Sequence, residues 1–176
     1  MNHPAIGPAA KRSRRVPPRG GAPAADWLSA KQQQAWVSVA AMIVLLPTIL
    51  DAQLQRDAGI TLFDYLVLSA LSMAEGDRLR MGDLAALTNG SLSRLSNVVK
   101  RLEQRGWITR VPDPSDRRST YAELTEMGWD LVAKAAPGHV DAVRRYVVDP
   151  LNDEQIEVLS TIGQRIQQCI VAEAGR

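Results

Sequence analysis

Residues 84–124, LAALTNGSLSRLSNVVKRLEQRGWITRVPDPSDRRSTYAEL, constrain the fold of this chain more than any other stretch. Leu92, Leu95, Val99 and Leu102 recur at steps of three and four, which lines them up on one face of a helix. Ser93, Arg94, Asn97, Lys100 and Arg101 then fall on the other face. Ser91 is the natural N-cap, and Gly106 supplies the stop. A shorter helix over residues 81–87 precedes it across the turn Thr88-Asn89-Gly90, and Ala85 is small enough to let the two helices cross closely. After Gly106 the pattern alternates. Residues 107–111 and 119–124 predict two paired strands, and the turn-forming run between them predicts an extended tip carrying Asp116, Arg117 and Arg118.

A helix that offers hydroxyl, amide and guanidinium groups from its first turns suits the edges of bases in a major groove. The arginines of the hairpin tip suit a phosphate backbone or a minor groove. The fold expected is mainly α with a small β-wing: a winged helix-turn-helix over residues 61–124. The charge distribution agrees. The net charge is only +2, yet residues 77–121 hold nine basic and five acidic side chains. Such local polarisation is a better footprint for nucleic acid than the overall balance.

Residues 1–25 carry five basic side chains, no acid and five prolines. Little there can be buried, which predicts a disordered basic arm. From Ser29 onward the pattern is helical. The apolar run over residues 35–50 is 16 residues long with Pro47 inside it, shorter than the ~20 needed to span a bilayer. It predicts a helix buried on two sides, kinked or broken at Pro47, with Gly59 as its left-handed stop. Thr61 with Asp64 predicts a capped start for the next helix, and residues 78–80 a short strand beside the hairpin. Thr125 caps a further helix that Pro137-Gly138 should kink or interrupt. Asn152 with Gln155 caps the last one, apolar through Ile156, Leu159, Ile162, Ile166, Cys169 and Ile170.

The end segments, residues 26–60 and 125–176, are left without a partner once the winged unit is closed. They are the expected dimerisation helices. The lone Cys169 cannot close a disulfide within the chain and reads as a small core residue in a reducing cytoplasm. Arg105, near a helix end, is expected to satisfy the dipole. Trp36, Tyr65, Trp107 and Trp129 are read as packing residues, each also a candidate to line a pocket for an aromatic ligand. No glycine-rich phosphate loop, Ser/His/Asp set or metal-ligand spacing is present, so neither an enzyme nor a bound cofactor is expected.

Residues 84–128 resemble the MarR family of transcriptional regulators. The shared features are an "LA" helix, a serine-rich second helix ending in "LE..G", then "R.PDP.DRR" and "LT..G". Asn89-Gly90 stands where the family more often has Gly followed by an apolar residue. The resemblance implies an obligate homodimer on a pseudo-palindromic operator of double-stranded DNA. It assigns DNA contact to Ser91, Ser93, Arg94, Ser96, Asn97, Lys100 and Arg101, and to Asp116, Arg117 and Arg118 of the wing. The expected function is a cytoplasmic repressor, with no membrane role, released by a small aromatic or phenolic ligand. The alternative is an architectural or adaptor protein that binds DNA without an effector.

Overall fold

The computed structural model describes residues 27–116 and 118–174. The expected basic arm and Arg117 lie outside the described residues. The chain divides into two units, Met1–Val39 and Ala40–Arg176. The first includes the opening residues of helix α1 (Ala30–Ala58), where Trp36 is exposed. Everything below concerns the second.

After α1 come α2 (Leu62–Ser72), β1 (Arg78–Arg80), α3 (Met81–Leu87) and α4 (Leu92–Gln104). The chain continues through β2 (Ile108–Pro112), β3 (Thr120–Leu124), α5 (Glu126–Val143) and α6 (Asp153–Ala174). A π turn over Arg144–Val148 follows α5. The three strands form one antiparallel sheet in the order β1-β3-β2, with Arg80 and Val111 on either side of Tyr121. The fold is thus mainly helical with a small winged sheet, as the periodicities predict.

Local chemistry accounts for the boundaries. Thr61 and Asp64 make the reciprocal cap expected of them: each side chain accepts from the other's backbone amide. Asn152 and Gln155 do the same before α6. Gly59 and Gly106 adopt φ of 66° and 75°, left-handed values that cost a residue without a Cβ nothing. Thr125 joins three elements. Its hydroxyl donates to the Gly106 carbonyl and accepts from the Gly128 amide, and its own amide donates to the Trp107 carbonyl. The first turn of α5 is thereby pressed onto the end of α4. A Cβ on Gly128 would lie 2.2 Å from the Trp107 carbonyl oxygen, so only glycine fits there.

The core centres on the winged unit and takes in Leu54 of α1 and Val132 and Ala135 of α5. Leu54, Ile60, Leu68, Leu71, Leu84, Leu95, Leu102 and Ile108 are fully buried, joined by Val67 and Val99. Ala85 is buried at the crossing of α3 and α4, as its size predicts.

Four expectations are corrected. The apolar helix α1 is not buried on two sides: Ile43, Val44 and Leu45 are exposed, and only Leu50, Gln53 and Leu54 are buried. Nor does Pro47 break it, because the helix runs on for 29 residues. Among the described residues it is the one helix long and apolar enough to cross a membrane. Pro137-Gly138 likewise fails to interrupt α5, whose Val132, Ala135 and Ala142 are buried on either side of the one hydrogen bond that Pro137, lacking an N–H, cannot make. Gly138 instead gives room to the Gln53–Asp57 pair of α1, from which its Cβ would stand only about 3.0 Å. Cys169 is exposed rather than part of a core, since α6 has no buried residue along its length.

Candidate nucleic-acid interface

Helix α4 is built to hold one face still and leave another open. Ser91 accepts a hydrogen bond from the Arg94 amide and so fixes its start. Leu95, Val98, Val99 and Leu102 fill the core side. At 100° per residue the opposite side falls at Ser93, Asn97, Lys100 and Gln104. All four are exposed, and among the described residues their side chains carry no hydrogen bond or ion pair. Leu92, expected in the core, lies on the same side of the helix as the buried Val99 but is 60% exposed, because it is the first residue of α4 and borders the cleft at the root of the wing.

The third flank of α4 was not legible as such in the sequence. Arg94, Arg101 and Arg105 point towards the junction of α1 and α2, and each has a partner there. Arg94 lies 4.2 Å over the ring of Phe63. Arg101 pairs with Asp64, a carboxylate only 4% exposed. Arg105 donates to the Gly59 carbonyl at 3.3 Å and stacks on Trp107. Arg101 is therefore engaged in holding the helix to its neighbour. The periodicity already distinguished the outward residues; what it lacked was the residues that α2 brings alongside.

The turn between α3 and α4 answers the departure at Asn89-Gly90. The left-handed residue is Asn89, with φ 48°, one of the few side chains that tolerate it. Gly90 has an ordinary φ and is small for another reason. A Cβ there would come 3.0 Å from Phe63 Cζ, so the ring that carries Arg94 also closes against the turn.

The wing is held by carboxylates. Asp113 accepts from the Ser115 amide at 2.8 Å and from its hydroxyl at 2.6 Å. Its other oxygen lies 2.7 Å from Arg80 Nη2, a contact of charge whose alignment falls short of a hydrogen bond. These bonds, those of Ser115 first, hold the Asp113 carboxyl down to about 2. Asp116 accepts from the Arg118 amide at 2.9 Å and from the Ser119 hydroxyl at 2.7 Å, and is lowered for the same reason. The wing aspartate thus fixes the backbone of Arg118, whose guanidinium has no partner among the described residues. Arg78 and Arg80, alternate residues of β1, flank the Tyr121 ring at 5.1 and 5.7 Å. Arg80 also donates to the Tyr121 hydroxyl. The sequence placed these two in the basic stretch and on the expected strand but gave them no role at the site; their i, i+2 spacing on that strand was the available signal.

The aromatic residues do not gather into a pocket. Tyr65 stacks on His139 at 4.5 Å, while Trp107 packs at the edge of the core under Arg105. Burial lowers the pKa of His139 and raises that of Tyr65, so both are neutral near pH 7. Among the described residues no cluster of His, Cys, Asp and Glu suits a metal ion.

Comparison with known proteins agrees with this geometry. A MarR family model matches residues 58–119. Sco3205 of Streptomyces coelicolor, a MarR family transcriptional regulator solved in complex with DNA, is 43% identical. It superposes with a TM-score of 0.78 over 81% of this chain and 89% of its own. CouR of Rhodococcus jostii, solved bound to p-coumaroyl-CoA, is 27% identical with a TM-score of 0.62, over 76% of this chain and 90% of its own. The HTH-type transcriptional regulator PecS of Dickeya dadantii is 33% identical across 45% of this chain and 47% of PecS. The chain spans about half the length of the curated relatives it matches most strongly. With its winged sheet, its capped α4 and this degree of likeness to Sco3205, the chain belongs to the MarR family of DNA-binding transcriptional regulators.

Proposed function

We propose that the protein is a cytoplasmic, homodimeric repressor that binds a pseudo-palindromic operator and is released by a small aromatic or phenolic ligand. The observation that carries the reading is the open face of α4. Ser93, Asn97 and Lys100 are exposed on a helix whose other two sides are fixed. Beside them, the backbone of Arg118 is anchored by Asp116 and its guanidinium has no partner among the described residues. Asn97 reads base edges, Ser91, Ser93, Ser96 and Lys100 take phosphates, and Arg94 swings from Phe63 to a base. Arg117 and Arg118 serve the minor groove, with Asp116 as their support. Arg101 acts through its pair with Asp64, which seats the helix.

A second copy is supported by the exposed apolar side chains of α1 and α6, among them Leu45, Val158 and Ile162. Surfaces of that kind mark association sites, and they favour a protein interface over a bilayer because Asp51 and Arg56 share the same helix. Two recognition helices must stand about 34 Å apart to enter successive major grooves. The cleft between α1 and the α5–α6 turn, about 1310 Å³, shares Leu45, Val158 and Ile162 with that face, so a ligand seated there, against Met42, Ile49, Tyr146 and Leu151, lies at the border of the proposed dimer interface. The complex of CouR with p-coumaroyl-CoA supports a ligand of aromatic character. A ligand there acts through its different affinity for the two spacings.

The test begins by selecting bound sequences from a random DNA library and titrating the product with Arg118→Ala. A palindrome, with affinity lowered about tenfold or more by loss of a charged contact, is expected. A broad, sequence-indifferent footprint that no aromatic acid alters would instead make this an architectural DNA-binding protein.

A further inference from the structure

A second cleft lies at the root of the wing, about 400 Å³, between the start of α3, α4 and the strands of the hairpin. Its polar lining comes from Arg80, Ser96, Arg110, Arg118, Ser119 and Thr120. All are donors, and no carboxylate lines it. Leu92 and Met81 add an apolar edge, which accounts for a leucine left 60% exposed on an otherwise well-buried helix.

The arginines at this cleft are held in place by acids that stand behind them. Arg80 uses Nε on the Tyr121 hydroxyl and Nη2 on Asp113. Arg110 uses Nε and Nη2 on Glu103, at 3.0 and 2.6 Å. Each keeps Nη1 for another partner. A guanidinium already fixed by one carboxylate loses little freedom in meeting a second anion.

The shape of DNA says what that anion is. Major and minor grooves are neighbours, and a single sugar–phosphate strand separates them. With α4 in a major groove and the wing in the adjacent minor groove, the strand between the grooves passes over whatever joins α4 to the wing. That is this cleft. We infer that the wing-root cleft seats a phosphodiester of the separating strand, with Arg80, Arg110, Ser96, Ser119 and Thr120 as its donors and Leu92 against the deoxyribose. The inference rests on the DNA-binding reading above and adds to it residues outside the recognition helix and the wing tip. The seat fixes how far the helix enters one groove when the wing enters the other, so Arg80 is a positioning residue with no part in reading sequence.

The experiment uses the full chain and its selected operator, with affinity measured as a function of salt and with single phosphates replaced in turn by methylphosphonate. Wild type should show one neutralised phosphate, between the two groove contacts, that weakens binding about tenfold. Arg80→Gln should weaken binding to all sequences alike and make the salt dependence shallower by about one phosphate contact. It should also abolish the effect of that one replacement. Because Arg80→Gln leaves Asp113 without its cation, Ser96→Ala/Thr120→Val provides the second variant, whose fold has no ion pair to lose. The same replacement should cost it clearly less than wild type. Methylphosphonate profiles identical in wild type and both variants would overturn the inference while leaving DNA binding intact. Inorganic phosphate bound by the DNA-free protein, with an unaltered profile, would give the cleft to a free anion and overturn it as well. Absence of salt-dependent DNA binding by wild type would remove the reading beneath it.

Discussion

The winged unit and the helices at the two ends of the chain are comparably apolar in sequence, but only the first buries what it has. Leu95, Leu102 and Leu84 of the winged unit are fully buried, while Leu45, Val158 and Ile162 of α1 and α6 are exposed. The difference lies in what each helix finds within reach of its own chain. Helices α3 and α4 are short and bracketed by tight turns, so their apolar sides meet each other, α2 and the sheet. Helix α6 extends 22 residues with no element folded back over it. One region covers its apolar surface within the chain; the other leaves open the surface proposed to meet a second copy.

The largest effect should come from breaking that second copy. Leu45→Asp or Ile162→Asp places a charge on the open apolar face without touching the buried leucines. Sedimentation should then report a monomer whose circular dichroism keeps its helical signal. Operator affinity should fall roughly 10²–10⁴-fold, because two linked half-sites become one. A variant that remains dimeric and binds as before would mean that the exposed face is not the interface.

Two glycines make the same comparison at smaller scale. Alanine in a helix interior is better than glycine by about 1 kcal/mol. At Gly128 that gain is opposed by a Cβ 2.2 Å from the Trp107 carbonyl and 2.6 Å from Leu124 Cδ1, against which backbone cannot yield. Gly128→Ala should therefore lose ~1–3 kcal/mol in urea unfolding. At Gly163 of α6 nothing lies within 4 Å, and Gly163→Ala should gain up to ~1 kcal/mol. A loss at Gly163 would mean that α6 packs closely on its partner at that point. No change at Gly128 would undo the account of how α5 is pressed onto α4.

The same contrast explains what could be read from the sequence. Whatever depends on neighbours along the chain was legible: the caps at Thr61, Ser91, Thr125 and Asn152, the stops at Gly59 and Gly106, the apolar side of α4 and the pairing of the wing. What depends on distant segments was not. The partner of Arg101 was hidden, because nothing near it in sequence announces Asp64, 37 positions earlier. Leu92 has the right spacing for the core but faces the cleft at the root of the wing. For α1, periodicity recorded that its surface is apolar without recording whether the same chain covers it, and in this chain it does not. The motif located the reader of DNA; the arginines that hold it, on β1 and at the base of the hairpin, came only with the folded arrangement.

The smallest effect concerns the wing, where the comparison between buried and open regions gives way to charge. Its tip has little apolar contact and is tied by Asp113 and Asp116 to Ser115, Arg118 and Ser119. In the folded wing the Asp113 carboxyl is held down to about 2, against 3.8 for an ordinary aspartate. The opened wing therefore binds a proton more readily than the folded one, so protonation favours opening. The stabilisation is complete above about 3.8 and disappears as pH falls through about 2. The amides of Ser115 and Arg118, which donate to these carboxylates, should lose their protected signals over that interval. Leu95 and Leu102, fully buried among apolar side chains, should keep theirs to lower pH. Ser115→Ala removes the largest cause of the shift and should move the opening upward towards 3.8. If wing and core amides instead disappear together, at a pH that Ser115→Ala does not move, the wing is held by the same apolar packing as the rest of the unit and the aspartates only decorate it.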